Sequence, residues 1–315
     1  MKKVAFVYPG QGSQQVGMGE TLYHDSPLVQ SMFEQADSLL DINLTKLMFE
    51  GPKETLTQTE HAQPALLLTS CAITKQLEEE GIIPSVVAGH SLGEYSALVA
   101  AGAISFEDAL PLVQTRGKLM EQAYPKGKGA MAAVLGLEQN QLQSELDIIA
   151  QETDEVIEIA NLNCPGQIVI SGDNHAIDLA ITRLKEAGAK RVLSLSVSGP
   201  FHSSLMKPAA ESFASSLEDI TINDITLPAY ANVTAEKVTK HTEIKQRLVE
   251  QLFSTVRFEE IIRDIIESDV DAIVEVGSGK VLTGLVKKIN RRMKTFTVQD
   301  SESLADFVEW YKEEK

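Results

Sequence analysis

Gly89-His90-Ser91-Leu92-Gly93 fits G-x-S-x-G, a spacing that can hold up a serine hydroxyl as a nucleophile. Such a serine can take an acyl group as an ester, provided that a base removes its proton and N–H groups receive the oxyanion that forms. The neighbours suit that task. The apolar run Ile82-Ile83-Pro84-Ser85-Val86-Val87 reads as a buried strand, and the Ala-rich run from Tyr95 to Ala101 reads as a helix. Strand, sharp turn and helix form the context of a nucleophile elbow, and the helix start supplies N–H groups beside any developing anion. A chance pentapeptide whose serine caps a helix is the simpler alternative.

A serine hydroxyl needs a base. Of the six histidines, His202 stands out because Gly199-Pro200-Phe201-His202-Ser203 is a break between elements, where a side chain can be held at a site mouth. It also follows Ser91 in chain order, as in α/β-hydrolases. His90 adjoins the serine, but neighbours at an elbow point apart, so a positional role suits it. His24, His61, His175 and His241 read as surface or capping residues. No Asp or Glu sits in an obvious loop after a strand between Ser91 and His202. The imidazole must therefore be oriented by a carboxylate from elsewhere, or by a neutral acceptor such as a backbone carbonyl or an Asn side chain.

The elements that must position these groups alternate strand and helix, as in a parallel sheet covered on both faces. The first strand follows Lys3, and a late strand, Asp271 to Val276, ends at Gly277. The joint Tyr124-Pro125-Lys126-Gly127-Lys128-Gly129 and the break Ser198-Gly199-Pro200 enclose a different pattern. Strand 130–135, helix 138–150, strands 156–162 and 167–171 around a turn at 163–166, helix 173–186 and strand 190–197 give βαββαβ, the ferredoxin-like order. The expectation is an α/β fold. An α/β-hydrolase-like parallel-sheet catalytic domain (1–126 and 198–315) carries an inserted ferredoxin-like subdomain (127–197). Two phosphate-loop look-alikes fail. In Gly277-Ser278-Gly279-Lys280 the next residue is Val281 where Ser or Thr is required, and Gly10-Gln11-Gly12 has Gln15 where a dinucleotide fingerprint has its third glycine. No nucleotide cofactor is expected at either.

Bulk properties narrow the function classes. A net charge of −17 over 315 residues argues against nucleic acid or an anionic membrane surface as the main partner. Apolar runs such as Pro64 to Leu68 are too short to span a bilayer, and the apolar N-terminal stretch is too short for a signal peptide. Cys71 and Cys164 suggest neither a disulfide framework nor a metal site, so a cytoplasmic location is expected and the Asn232-Val233-Thr234 sequon is irrelevant. Lys287, Lys288, Arg291, Arg292 and Lys294 make a local basic cluster. A solvated helix face is the plainer account, and a landing site for an acidic partner the more specific one.

Taken in order, Pro9-Gly10-Gln11-Gly12-Ser13-Gln14, Gln63-Pro64-Ala65, Gly89 to Glu94, Arg116-Gly117, Asn161 to Gly172 and Gly199-Pro200-Phe201-His202 form a specific set. The chain, from Lys3 to about Thr297, resembles the malonyl-CoA:acyl-carrier-protein transacylases of bacterial dissociated fatty-acid synthesis. The resemblance implies Ser91 as the acylated nucleophile, His202 as general base and acid, and Arg116 as the partner of the malonyl carboxylate. Helical periodicity alone would leave Arg116 on a surface. It further implies oxyanion-hole N–H groups from Gln11 and Leu92, site-lining roles for Gln63, His90 and Asn163, and orientation of the histidine by Gln251 with Asn232 nearby. The implied partners are malonyl-CoA and acyl carrier protein, with no cofactor. Because the carrier is acidic, Lys287, Lys288 and Arg291 are the candidates for its docking site, and the chain is expected to bind no metal and to be compatible with a monomer. Thr255-Val256-Arg257-Phe258 and Cys164 depart from the family's usual residues without removing a chemical group. A serine thioesterase or esterase, a polyketide-pathway acyltransferase and a carrier-binding module with a dead site are the alternatives.

Overall fold

A computed structural model describes residues 2–313. The strands in chain order are β1 (Val4–Tyr8), β2 (Val86–Gly89), β3 (Gly129–Leu135), β4 (Ile157–Cys164), β5 (Gln167–Asp173), β6 (Arg191–Ser194), β7 (Ala229–Tyr230), β8 (Lys237–Val238), β9 (Ala272–Val276) and β10 (Thr295–Val298). They form two sheets. The larger has the order β10-β9-β1-β2-β7-β8, the smaller β4-β5-β3-β6.

In the larger sheet β10, β9, β1, β2 and β7 run parallel, with β1 central and buried along its whole length. Its side chains divide by parity. Val4, Phe6 and Tyr8 join a large core with the helices Thr59–Glu79 and Phe106–Gln122, whereas Ala5 and Val7 face Phe258, Ile261, Ile262 and Ile265. Burial on both faces is what makes the strand read as an unbroken apolar run. The expected alternation of parallel strands fails at one edge, where β8 turns back antiparallel on β7. Two-residue strands at the rim need only a tight turn, whereas a parallel return needs a crossover.

The smaller sheet is antiparallel throughout, and the helices Gln139–Thr153 and Asn174–Glu186 pack on it around a core of their own. The order β4-β5-β3-β6 is that of a ferredoxin-like unit. Two boundaries differ from the sequence expectation. β4 continues through Asn163 and Cys164, because register shifts after Ile159 and Leu162 absorb extra residues and let it run on. β6 stops at Ser194, and Leu195 to Val197 leave the sheet to wall a cavity. The smaller sheet is also tied to the segment before the helix Phe258–Glu267. The N–H of Leu162 donates to the carbonyl of Val256 at 2.9 Å, and the N–H of Val256 to that of Ala160 at 2.9 Å.

Candidate active site

The elbow is built by close backbone approach. β2 ends at Gly89, Ser91 turns the chain with φ of 52°, and the helix Gly93–Ala100 begins at once. A Cβ on Gly89 would stand 1.9 Å from the carbonyl carbon of Gly93, and one on Gly93 would stand 2.0 Å from the Tyr8 carbonyl oxygen. Only glycine lets the helix start pass this close to the strands. Asn232, in the turn after β7, pins the turn from beneath. Its Nδ2 donates to the Gly89 carbonyl at 2.7 Å and its Oδ1 accepts from the Ser91 N–H at 2.7 Å.

His202 reaches this turn from the break after β6, itself with φ of 58°. Its Nε2 lies 2.8 Å from Ser91 Oγ, and its Nδ1 lies 2.8 Å from the main-chain oxygen of Gln251. A carbonyl can only accept, so Nδ1 carries the proton and Nε2 is left free to take one from Ser91. Burial, then the nearby Arg116 charge, holds the imidazole down to about 3, so it is neutral at ordinary pH. The sequence assigned Gln251 and Asn232 to orienting the histidine. The contact comes from the Gln251 main chain rather than its side chain, while the polar atoms of Asn232 are taken up by the elbow.

Arg116 is 1% exposed, against the surface position expected from the sequence. The reason lies one residue on. A Cβ on Gly117 would come within 2.7 Å of the Thr59 carbonyl oxygen, so the helices Thr59–Glu79 and Phe106–Gln122 cross closely there. That crossing brings Arg116 beside Gln63: Nη1 donates to Gln63 Oε1 at 2.8 Å, and Nη2 to Gln251 Oε1 at 2.8 Å and to Ser91 Oγ at 3.2 Å. The guanidinium also lies over the Tyr95 ring, 5.3 Å from its centroid. It is thus gripped by two neutral amides and an aromatic face.

A cavity of about 260 Å³ opens above these groups, lined by Gln11, His90, Ser91, Leu92, Arg116 and His202 from the larger unit and by Met131, Asn161, Leu195 and Val197 from the 129–197 segment. Gln11 and Leu92 therefore stand at the cavity with the serine. Asn163 and His90 pair with one another, Oδ1 to Nε2 at 2.8 Å, joining the end of β4 to the elbow; burial pushes this imidazole below its ordinary value too. Lys287, Lys288 and Arg291 lie away from the cavity. Lys287 Nζ donates to the Met293 carbonyl and Lys288 Nζ to Gln167, while Arg291 is exposed.

One group in the motif received no role from the sequence. Glu94 is 2% exposed, and its Oε2 accepts from the Asn232 N–H at 3.0 Å and from Gln251 Nε2 at 2.7 Å. Burial pushes its carboxyl up to about 7. A carboxylate in the first helical turn normally reads as a dipole partner facing solvent, and only the uncharged, largely apolar run after it hinted otherwise. Elsewhere, the Gly277–Lys280 loop precedes a helix whose first N–H groups, at Leu282 and Thr283, donate to the buried carboxylate of Glu275. Those donors are engaged internally. Among the described residues no group of three or more His, Cys, Asp or Glu is placed to hold a metal ion, and no helix is long and apolar enough to cross a membrane.

A serine hydroxyl, an uncharged imidazole beside it and a buried guanidinium meet at one cavity, and known proteins are similar to the chain over nearly its whole length. Residues 5–305 match the acyl transferase domain family. The malonyl CoA-acyl carrier protein transacylase of Bacillus subtilis is 51% identical over 314 residues, covering 100% of this chain and 99% of the relative. An acyl carrier protein S-malonyltransferase of Vibrio cholerae superposes with a TM-score of 0.94 at 44% identity, covering 97% of this chain and 99% of that one. A malonyl-transacylase solved with its type II polyketide acyl-carrier protein gives 0.95 at 42% identity, covering 98% and 99%. With elbow, histidine and arginine set within a match of this length, the chain belongs to the acyl transferase domain family.

Proposed function

We propose that this chain transfers the malonyl group from malonyl-CoA to the phosphopantetheine thiol of acyl carrier protein, through a malonyl ester on Ser91. The observation that carries this reading is the position of Ser91 Oγ, 2.8 Å from His202 Nε2 and 3.2 Å from Arg116 Nη2. His202 takes the serine proton as Oγ attacks the thioester carbonyl. The oxyanion is received by the N–H groups of Gln11 and Leu92, the C–S bond breaks, and the CoA sulfur takes the proton from His202. The carrier thiol then repeats the cycle in reverse. Its proton passes to His202, its sulfur attacks the ester, and Ser91 leaves with the proton. Arg116 receives the malonyl carboxylate through parallel N–H donors, with Gln63 and Gln251 shaping the guanidinium. Every proton and electron pair is supplied by chain and substrates, so no cofactor is required.

A hydrolase of similar build has no use for a buried arginine beside its serine. The main-chain acceptor behind His202 also makes a dyad, whereas that rival predicts a third carboxylate. We place the enzyme in the cytoplasm, supplying malonyl units for fatty-acid chain elongation. Residues 127–197 act as an inserted subdomain of the 1–126 and 198–315 catalytic domain, which should appear as a separately exchanging unit in amide hydrogen exchange. The test of the reaction is intact mass after incubation with malonyl-CoA. The expected outcome is a malonyl adduct, absent in Ser91→Ala, that moves to added acyl carrier protein. No adduct, or one lost at once to water, would return the choice to a dead-site binder or a hydrolase.

A further inference from the structure

We propose that Glu94 is a positioning residue that fixes which way the Gln251 side-chain amide faces and thereby presents Arg116 to the acyl carboxylate. The proposal rests on the reading of Arg116 given above and adds a residue that does not itself reach the cavity. The two ends of a glutamine amide have the same shape and differ only in donating or accepting. At Gln251 the nitrogen end is held by two acceptors, Glu94 Oε2 at 2.7 Å and the Ser91 carbonyl at 3.0 Å. That leaves the oxygen end for Arg116 Nη2 at 2.8 Å. Reversing the amide would set NH₂ against guanidinium NH₂, and oxygen against the two acceptors.

Glu94 is in turn fixed by a group that cannot reverse. The Asn232 N–H belongs to the main chain and donates to the same Oε2 at 3.0 Å, so an oxygen must stand there. The order of command runs from backbone to Glu94, from Glu94 to Gln251, and from Gln251 to Arg116. The arrangement also answers a question of charge. A guanidinium paired directly with a protein carboxylate would have its donors occupied when the substrate's carboxylate arrives. Here the carboxylate stands one amide away, where its field still reaches Arg116 while the guanidinium is held only by neutral groups that a substrate can displace or share.

The test compares Ser91 acylation by malonyl-CoA and by acetyl-CoA, which lacks the carboxylate, in wild type, Glu94→Gln and Glu94→Leu. Glutamine can keep an oxygen facing the Asn232 N–H, and so still accept from Gln251. Its preference for malonyl over acetyl should stay within about threefold of wild type. Leucine removes the acceptor, and the preference should fall roughly tenfold or more, the usual scale of a buried donor left without a partner. Should Glu94→Leu fail to fold, Glu94→Asp, one methylene short of Gln251, carries the same expectation. Equal losses on both substrates would mean a purely structural role and overturn the proposal, as would Glu94→Gln losing as much preference as Glu94→Leu. An unaltered preference in Glu94→Leu would overturn it as well. A wild-type enzyme without malonyl preference would instead remove the reading of Arg116, and this proposal with it.

Discussion

Ser91 and His202 are both non-glycine residues in left-handed backbone, at φ of 52° and 58°, a conformation that costs each about 1 kcal/mol. The strain aims two side chains at one another, and the protein then keeps the imidazole uncharged. His202 is held down to about 3, far below the ordinary value near 6.5, so its contribution to stability is fully present above that ordinary value and is lost as pH falls towards about 3. Single-turnover acylation should therefore show no acid limb centred on about 6.5. Glu94 carries the opposite sign: its carboxyl is raised to about 7, so its contribution is present below the ordinary carboxylate value and lost as pH rises through about 7. Running the profile in wild type and in Glu94→Gln separates the two groups, and an acid limb at the ordinary imidazole value in both would contradict a buried neutral base. Arg116→Ala should lower kcat/KM for malonyl-CoA by about a hundredfold while sparing acetyl-CoA, and Arg116→Lys should restore little, because one ammonium cannot donate two parallel bonds. Retained malonyl preference in Arg116→Ala would point back to a hydrolase.

Between β2 and its following helix, geometry leaves no room for a side chain at position 93. Gly93→Ala would drive a methyl against the Tyr8 carbonyl in the central strand, and a loss of more than about 3 kcal/mol in denaturant-unfolding stability is expected. Gly102→Ala is the control: its φ of 78° is strained, but nothing lies near, so about 1 kcal/mol should be lost. If the two variants matched, the close approach would not be what fixes the elbow. This part of the molecule was legible in the sequence, since a strand, a turn with glycines and an Ala-rich helix are local signals. So were the six elements of the smaller sheet, whose apolar periods switch between strand and helix. What stayed hidden was set by contacts distant in the chain. Arg116 is not such a case: three residues after Val113 and four before Met120, it falls on the helix's own buried stripe, and the crossing at Gly117 and Thr59 closes over it; its charge, not its spacing, pointed to the surface. The part played by the Gln251 carbonyl depends on where the 241–251 helix ends against the His202 loop. The run of β4 past Asn163 follows from register shifts against β5 and from its tie to Val256, far along the chain, and both appear only once the chain has folded.

As a whole the molecule is strongly acidic and, on the function proposed, must meet an acidic carrier protein. Encounter should then depend on local basic surface, for which Lys287, Lys288 and Arg291, on and just after the helix Val281–Ile289, are the candidates. Replacing Lys287, Lys288 and Arg291 by Glu should slow malonyl transfer to the carrier roughly tenfold at low salt and leave acylation by malonyl-CoA intact; a transfer rate indifferent both to salt and to these charges would remove the patch from consideration. The same large scale gives the cavity its particular ownership. Ser91, His202 and Arg116 belong to the larger sheet's side, whereas Met131, Asn161 and the stretch from Leu195 to Val197 come from the smaller one or its return path. The reacting groups and one wall of their cavity are thus encoded on different lengths of chain. Exchanging residues 127–197 with those of a relative should therefore reshape one wall of the cavity while the ester chemistry and the Arg116 grip on the carboxylate carried on as before, so a lineage can refit the room without replacing its machinery.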